Sequence, residues 1–167
     1  MSRKGEVRKI PTRLTGAAGE HFVMFHLYRR GVMVGQPPQG VPDVDLLVLD
    51  EKTNVVKNIQ VKARTKGADG GWHMKDKHER LVSSRLWYVF VDMEPELPVC
   101  YVIPSSVVAE VVRLEHATWL ATPGKNGHQH KTSDMRRVKP NYSYDVPGFP
   151  KGWMEQYREA WDSLLTA

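Results

Sequence analysis

Two short apolar segments separated by a polar run constrain this chain more than any other feature. Residues 44–49 and 55–63 each have the composition of a β-strand, with apolar residues alternating with polar ones in the second. The run between them, residues 50–54, is Asp-Glu-Lys-Thr-Asn, which contains turn-forming residues. A β-hairpin is the simplest structure that joins two such strands, so the sequence predicts one here.

Polar side chains of the predicted hairpin are expected to converge on one patch. Because strand side chains alternate between faces, Asp43 and Asp45 share a face, and so do Gln60 and Lys62. A hairpin centred on the polar run places Asp45 opposite Gln60, and it places Asp43 opposite Lys62. Directly opposed side chains lie about 5 Å apart at Cβ. A slip of one residue in the register would change these partners.

The chemistry of this patch suits a hard divalent cation. Mg²⁺ takes oxygen ligands in proteins, often one or two carboxylates together with water and a substrate phosphate. Such a metal lowers the pKa of bound water and stabilises the charge of a phosphoryl displacement. Lys62 would orient the attacking water or neutralise the developing charge. Short patterns such as Asp-x-Asp and Gln-x-Lys also arise by chance, so a purely structural role stays open.

A helix is predicted upstream of the hairpin, with Thr15 as its N-cap and Gly31 at its end. The small residues 16–19 allow close approach to a neighbouring element. The stripe expected to face the core follows helical spacing and comprises Glu20, Val23 or Met24, and Leu27. A carboxylate on that stripe is costly unless a partner compensates it. Alternatively, Glu20 stabilises the helix dipole from the first turn.

In order and spacing, these pieces resemble the PD-(D/E)xK nuclease superfamily. They are most similar to its Holliday-junction-resolvase-like and group I intron homing-endonuclease-like branches. The matching segments are the helix with its glutamate, residues 31–34, residues 42–45 and residues 59–62. The resemblance implies a restriction-endonuclease-like α/β fold with a mixed central sheet flanked by helices. It also implies endonuclease activity on DNA with Mg²⁺, or with Mn²⁺ as a substitute.

The resemblance implies specific roles for individual residues. The helix acid, the metal-binding Asp, the second acid position and the lysine correspond to Glu20, Asp45, Gln60 and Lys62. The first three of these would hold the metal, and Asp43 is a competing ligand because it supplies the literal Pro-Asp. Many relatives have Glu where this chain has Gln60. A non-catalytic nucleic-acid-binding or interaction module that retains the nuclease-like fold is therefore the alternative.

Charge and length agree with a nucleic-acid partner. The chain has 167 residues, enough for one domain with a true core, and 24 Lys and Arg against 19 Asp and Glu. Residues 1–13 are predicted to form a basic arm that either orders on nucleic acid or remains an exposed terminus. Residues 14–167 are predicted to form a single nuclease-like domain with a C-terminal loop and helix.

Cationic and aromatic side chains of the arm and the domain are predicted to contact DNA. They are Arg13, Arg64, Lys66, Trp72, Lys75, Lys77 and Arg80. Trp72 would stack on a base or wedge between bases, or else it anchors a solvent-exposed loop. Cutting both strands of a duplex requires two active sites, which favours a homodimer.

The remaining segments are predicted to continue the α/β pattern. Residues 86–91 and 99–103 have the composition of buried strands, and a helix capped by Ser105 or Ser106 follows. An amphipathic helix is predicted over residues 152–165, with three aromatic residues on one face: Trp153, Tyr157 and Trp161.

The single cysteine bounds the compartment and the metal chemistry. Cys100 cannot form an intrachain disulfide or a cysteine-cluster zinc site, and its apolar neighbours predict a buried strand residue. These features indicate a reducing compartment, which we take to be the cytoplasm. The chain contains no apolar run typical of a membrane span or a signal peptide. The His128-x-His130 pair has no third ligand nearby, so we do not expect it to bind metal.

Overall fold

The computed structural model describes residues 10–51, 53–65, 70–94 and 96–166. Their helices and strands, in chain order, are α1 Thr12–Tyr28, β1 Met33–Gly35, β2 Leu46–Asp50, β3 Val55–Arg64, β4 Trp72–Lys75, β5 Leu86–Asp92, β6 Val99–Pro104, α2 Ser105–Ala121, β7 Met135–Val138 and α3 Trp161–Thr166. Short 3-10 turns include Asp76–Glu79 and Trp153–Tyr157. None of the helices in these ranges is long and apolar enough to cross a lipid bilayer.

Five of the strands form one mixed sheet in the order β1-β2-β3-β5-β6. The β3–β5 pair is parallel, and the other neighbouring pairs are antiparallel. Strands β4 and β7 form a separate two-stranded ribbon. The predicted mixed α/β fold, with helices flanking a central sheet, is therefore confirmed.

The predicted hairpin is formed by β2 and β3. Its register pairs Leu46 with Ile59 and Asp50 with Val55, which is the register expected for a turn centred on residues 50–54. The first strand begins at Leu46, however, two residues later than predicted. Asp43 lies outside the strand in the left-handed region, at φ 60°. The predicted ladder position of Asp43 opposite Lys62 is therefore wrong.

Two hydrophobic cores lie on opposite faces of the sheet. Alternate residues of β5 belong to different cores: Trp87 and Val89 pack with α1 and α3, whereas Tyr88 and Phe90 pack with α2 and the β4–β7 ribbon. A strand covered on both faces is apolar throughout, which explains the continuous hydrophobic run in β5. Cys100 is fully buried in the first of these cores, as predicted.

Helix α1 packs directly against β3 through a glycine. A Cβ atom built on Gly19 would lie 2.5 Å from the Cβ of Ala63, closer than two carbon atoms can approach. The helix begins at Thr12, so Thr15 is a buried residue inside it and the predicted Thr15 cap is wrong. The predicted cap of α2 at Ser105 or Ser106 is wrong as well, because both residues lie inside the helix, whose N-cap is Pro104 without a side-chain cap hydrogen bond.

The predicted C-terminal amphipathic helix is wrong, because the segment is divided in two. Trp153 belongs to a 3-10 turn in the α2 core, whereas Trp161 begins α3 in the α1 core. Between them, the backbone of Glu159 hydrogen-bonds to the Cys100 oxygen at 2.8 Å, on the edge strand β6. The chain therefore passes around the edge of the sheet and covers both faces.

We expect Gly19→Ala to unfold at a lower temperature than Gly16→Ala. The added methyl group at Gly19 collides with Ala63, and overpacking of this kind costs about 1–3 kcal/mol. Gly16 has no atom within 4 Å of its would-be Cβ, so alanine there gains helix propensity of up to about 1 kcal/mol. Thermal and urea unfolding of the two variants measures the difference. Equal stability would show that α1 does not depend on this close contact.

Candidate active site

The polar patch predicted from the sequence lies at one end of the sheet, where β2 begins and β3 ends. Asp45 directly precedes β2, and its backbone N–H donates to the Ile59 oxygen at 2.8 Å. Continuing the β2–β3 register by one residue sets Asp45 across from Gln60. The two side chains are in contact, because the Gln60 amide Nε2 donates to Asp45 Oδ2.

The Asp45 carboxylate is held in place by two donors. Besides the Gln60 amide, the backbone N–H of Val61 donates to Asp45 Oδ2 at 2.7 Å. Hydrogen bonds to an ionised carboxylate are stronger than neutral ones, so this pair fixes the carboxylate relative to β3. Gln60 is buried and acts here as a donor. Its amide would have to rotate before the carbonyl oxygen could bind a metal.

Glu20 contributes a second carboxylate from α1. It is half-buried, and Gln36 Nε2 donates to its Oε2 at 3.1 Å. Burial raises the pKa of Glu20, and the negative charge of Asp45 raises it further. Glu20, Gln36 and Asp45 line a cleft of about 350 Å³ together with residues 37–41. Two repelling carboxylates in one cleft form a site where a cation would be favourable.

These oxygen donors fit a hard cation such as Mg²⁺ better than a soft metal. Two carboxylates and an amide oxygen are the ligand types that Mg²⁺ prefers, with water completing its coordination. The described residues contain no cluster of three or more His, Cys, Asp and Glu side chains arranged around a metal-sized space. The candidate site therefore depends on two acids rather than three.

Lys62 brings a partly desolvated positive charge to the same patch. It lies on the same face of β3 as Gln60, two residues further along. Burial lowers the pKa of Lys62, and Asp45 opposes that shift by stabilising the ammonium. Lys77 lowers the pKa of Lys62 further, and Asp43 raises it. The negative charge of Asp45 therefore acts on Lys62 across the patch.

Asp43 is committed to a different partner. Its Oδ1 lies 2.5 Å from Lys77 Nζ, in an ion pair that joins the loop before β2 to the 3-10 turn Asp76–Glu79. Asp43 does not line the cleft that contains Glu20 and Asp45, so it is less well placed than Asp45 to share a metal ion with Glu20.

His78 and Tyr88 lie behind Lys62 and were not predicted from the sequence. His78 is buried, and its Nδ1 lies 2.7 Å from the Tyr88 hydroxyl. Burial, followed by the charge of Lys62, lowers the pKa of His78 to about 4. The imidazole is therefore neutral at physiological pH and adds no positive charge beside the lysine. No local pattern predicts this contact, since the two residues come from a 3-10 turn and from β5.

Two of the predicted DNA contacts have structural roles instead. Trp72 is only 2% exposed, and its indole N–H donates to the Val91 oxygen at 3.2 Å. The prediction that Trp72 stacks on DNA is therefore wrong, because no face of the ring is accessible. Arg64 packs over Trp72, with 4.0 Å between its guanidinium carbon and the ring centroid, and its Nη2 lies 2.6 Å from Asp92 Oδ2.

The other cations predicted to bind DNA lie at the surface where they are described. Arg13 and Arg80 are exposed. Lys75 is also exposed, and it forms an ion pair with Asp134 at 2.7 Å. Lys66 and most of the predicted basic arm, residues 1–9, lie outside the described residues.

Comparison with known proteins extends this description. Neither a protein-family model nor a curated protein sequence matches the chain. Among solved structures, the chain is similar to the bacterial homing endonuclease I-Ssp6803I, with a TM-score of 0.53 and 17% sequence identity. The similarity covers 95% of this chain and 94% of that one. At this identity the comparison establishes the fold alone, and the chain has a nuclease-like fold over nearly its whole length.

Proposed function

We propose that this protein is a metal-dependent endonuclease of the PD-(D/E)xK type that hydrolyses phosphodiester bonds in DNA. The observation that carries the proposal is the meeting of Glu20, Asp45 and Lys62 at one end of the sheet, beside a cleft. The similar solved structure is that of a homing endonuclease, which supports DNA as the substrate.

Glu20, Asp45, Gln60 and Lys62 each have a role in this proposal. Asp45 and Glu20 would hold Mg²⁺, and Gln60 would add its carbonyl oxygen after the amide rotates. When bound, Mg²⁺ supplies Lewis acidity that activates water and stabilises charge on the phosphate. Lys62 would donate to a phosphate oxygen or to the attacking water. A desolvated ammonium interacts more strongly with that charge than an ammonium in water does.

A non-catalytic DNA-binding module is the second candidate, and Gln60 favours it. An amide at this position contributes no charge to a metal site, and it already donates to Asp45. Such a module would keep the fold and the basic surface while lacking cleavage. The experiments below separate the two functions because they measure cleavage and binding on the same DNA.

We expect Asp45→Asn and Lys62→Ala to abolish Mg²⁺-dependent cleavage of supercoiled, branched or single-stranded DNA, with losses of about 100-fold or more. Removing one group that stabilises a developing charge typically costs about 100- to 1,000-fold in rate. Asp50→Asn is the matched control, since it makes the same change at the opposite end of β2. Cleavage assays with Mg²⁺, Mn²⁺ or chelator provide the measurement.

Two results would contradict the proposed nuclease. One is binding of DNA by the wild-type protein without cleavage of any of these substrates in either metal, which is the behaviour of the non-catalytic module. The other is cleavage by Asp45→Asn at the wild-type rate, which would show that the reaction takes place outside this cleft.

We expect Gln60→Glu to lower the melting temperature in chelator and to raise the affinity for Mg²⁺ about tenfold. A third carboxylate beside Asp45 and Glu20 repels them in the absence of metal, whereas a bound cation reverses that repulsion. Melting curves across a Mg²⁺ titration report this without requiring cleavage. Gln129→Glu adds the same charge on an exposed loop and serves as the control. If the melting temperature of Gln60→Glu does not change with Mg²⁺ concentration, the cleft does not hold the metal.

A further inference from the structure

A second and larger pocket lies away from the acidic cleft. Its volume is about 390 Å³, and it is formed by α2, β7 and the segment that follows β7. None of its lining residues is shared with the cleft that contains Glu20 and Asp45. The lining residues that matter most for its chemistry are Glu115, Trp119, Arg136, Arg137, Lys139 and Tyr144.

The charge of this pocket favours an anion. Arg137 and Lys139 line it together with Arg136, whose charge is paired with Glu79, and Glu115 is the one carboxyl group in the lining. Burial lowers the pKa of Lys139, and the nearby charge of Arg137 lowers it further. Two cations that repel each other at a partly buried site are stabilised when an anion lies between them.

The carboxyl group of Glu115 is already engaged by a neighbouring hydroxyl. Glu115 is buried, and the Tyr144 hydroxyl donates to its Oε1. Burial raises the pKa of Glu115, whereas the Tyr144 hydrogen bond and the charges of Lys139 and Arg136 lower it. The neighbouring His116 has a lowered pKa, chiefly through burial and then through Arg136.

One of the cations is fixed in position before any ligand arrives. The Arg136 side chain is only 7% exposed and donates to Glu79. Its Nη1 also donates to the backbone oxygens of Ser133 at 2.6 Å and Met135 at 2.8 Å. Because these contacts engage its charge and its donors, Arg136 shapes the wall of the pocket, whereas Arg137 and Lys139 are the cations that would contact an anion.

The size and walls of the pocket indicate more than a bare phosphate ion. Ligand pockets in proteins typically have volumes of about 300–1,000 Å³ and combine apolar walls with a few polar groups. Trp119, Met135 and Tyr144 supply apolar and aromatic surface here, and Ser133 and Ser143 supply hydroxyls. His130 and His116 stack on Trp119 at 4.0 Å and 5.5 Å between ring centroids, and Tyr144 stacks on Tyr142 at 6.2 Å.

We propose that this pocket binds a single nucleotide. The phosphate would lie between Arg137 and Lys139, and the sugar and base would pack against Tyr144 and the exposed part of Trp119. The nucleotide is either a free nucleoside monophosphate or the terminal, phosphorylated residue of a nucleic-acid strand. The proposal stands on the pocket alone and does not require that the acidic cleft cleaves DNA.

Isothermal titration calorimetry in chelator tests the proposal on the full chain. The probes are nucleoside 5′-monophosphates, the same nucleosides without phosphate, inorganic phosphate, and short single strands with a 5′-phosphate or a 5′-hydroxyl. We expect phosphorylated probes to bind at least about tenfold more tightly than their unphosphorylated counterparts, as for a charge-assisted contact. Binding of the free monophosphates identifies a free nucleotide as the ligand, and binding of 5′-phosphorylated strands alone identifies a strand end.

Variants locate the binding in this pocket. Arg137→Ala and Lys139→Ala should each weaken binding by at least about tenfold, whereas Arg113→Ala, which removes a cation from the exposed side of α2, should leave it unchanged. Lys139→Gln removes the charge with less change in packing and replaces Lys139→Ala if that variant does not fold.

Three results would overturn the assignment: no binding of any phosphorylated probe, binding that is unaffected by the Arg137 and Lys139 substitutions, or inorganic phosphate that binds as tightly as the nucleotides. Because cleavage is not measured, these outcomes are independent of whether the protein is a nuclease.

Discussion

The register of β2 against β3 is the constraint on which the candidate site depends. Asp45 reaches the site because β2 pairs with β3 in a single register, and the Val61 N–H and the Gln60 amide then hold its carboxylate. A slip of one residue would turn the Asp45 side chain away from Gln60, toward the α1 core. Helix α1 approaches the same strand through Gly19 and Ala63, which brings Glu20 to the cleft.

Partial burial gives the cluster its electrostatic character. The pKa of Glu20 is raised and that of Lys62 is lowered, and burial is the leading cause of both shifts. The 3-10 turn Asp76–Glu79 contributes to both of the sites described. Its Lys77 pairs with Asp43 near the cleft, and its Glu79 holds Arg136 in the larger pocket. The position of this one short turn therefore affects both the acidic cleft and the larger pocket.

Local patterns predicted those parts of the fold that depend on neighbours in sequence. The hairpin, its register and the helix that bears Glu20 all follow from periodicity and from turn residues. The error at Trp72 had a correcting signal in the sequence, since Trp-His-Met-Lys at residues 72–75 alternates apolar and polar side chains, as a half-buried strand does. The spacing of Trp153 and Trp161 suited one helix equally well, and only the passage around β6 shows that they cover opposite faces.

By itself, the sequence determined the mixed α/β architecture and the candidate residues Glu20, Asp45, Gln60 and Lys62, because these lie on, or directly before, strands and a helix whose periodicity is local. The tertiary structure alone decided their surroundings. The electrostatic interaction between Lys62 and His78, the Asp43–Lys77 ion pair and the larger cationic pocket all join segments that are distant in the chain. No short-range pattern encodes such contacts, because they arise only when packing both faces of the sheet brings those segments together.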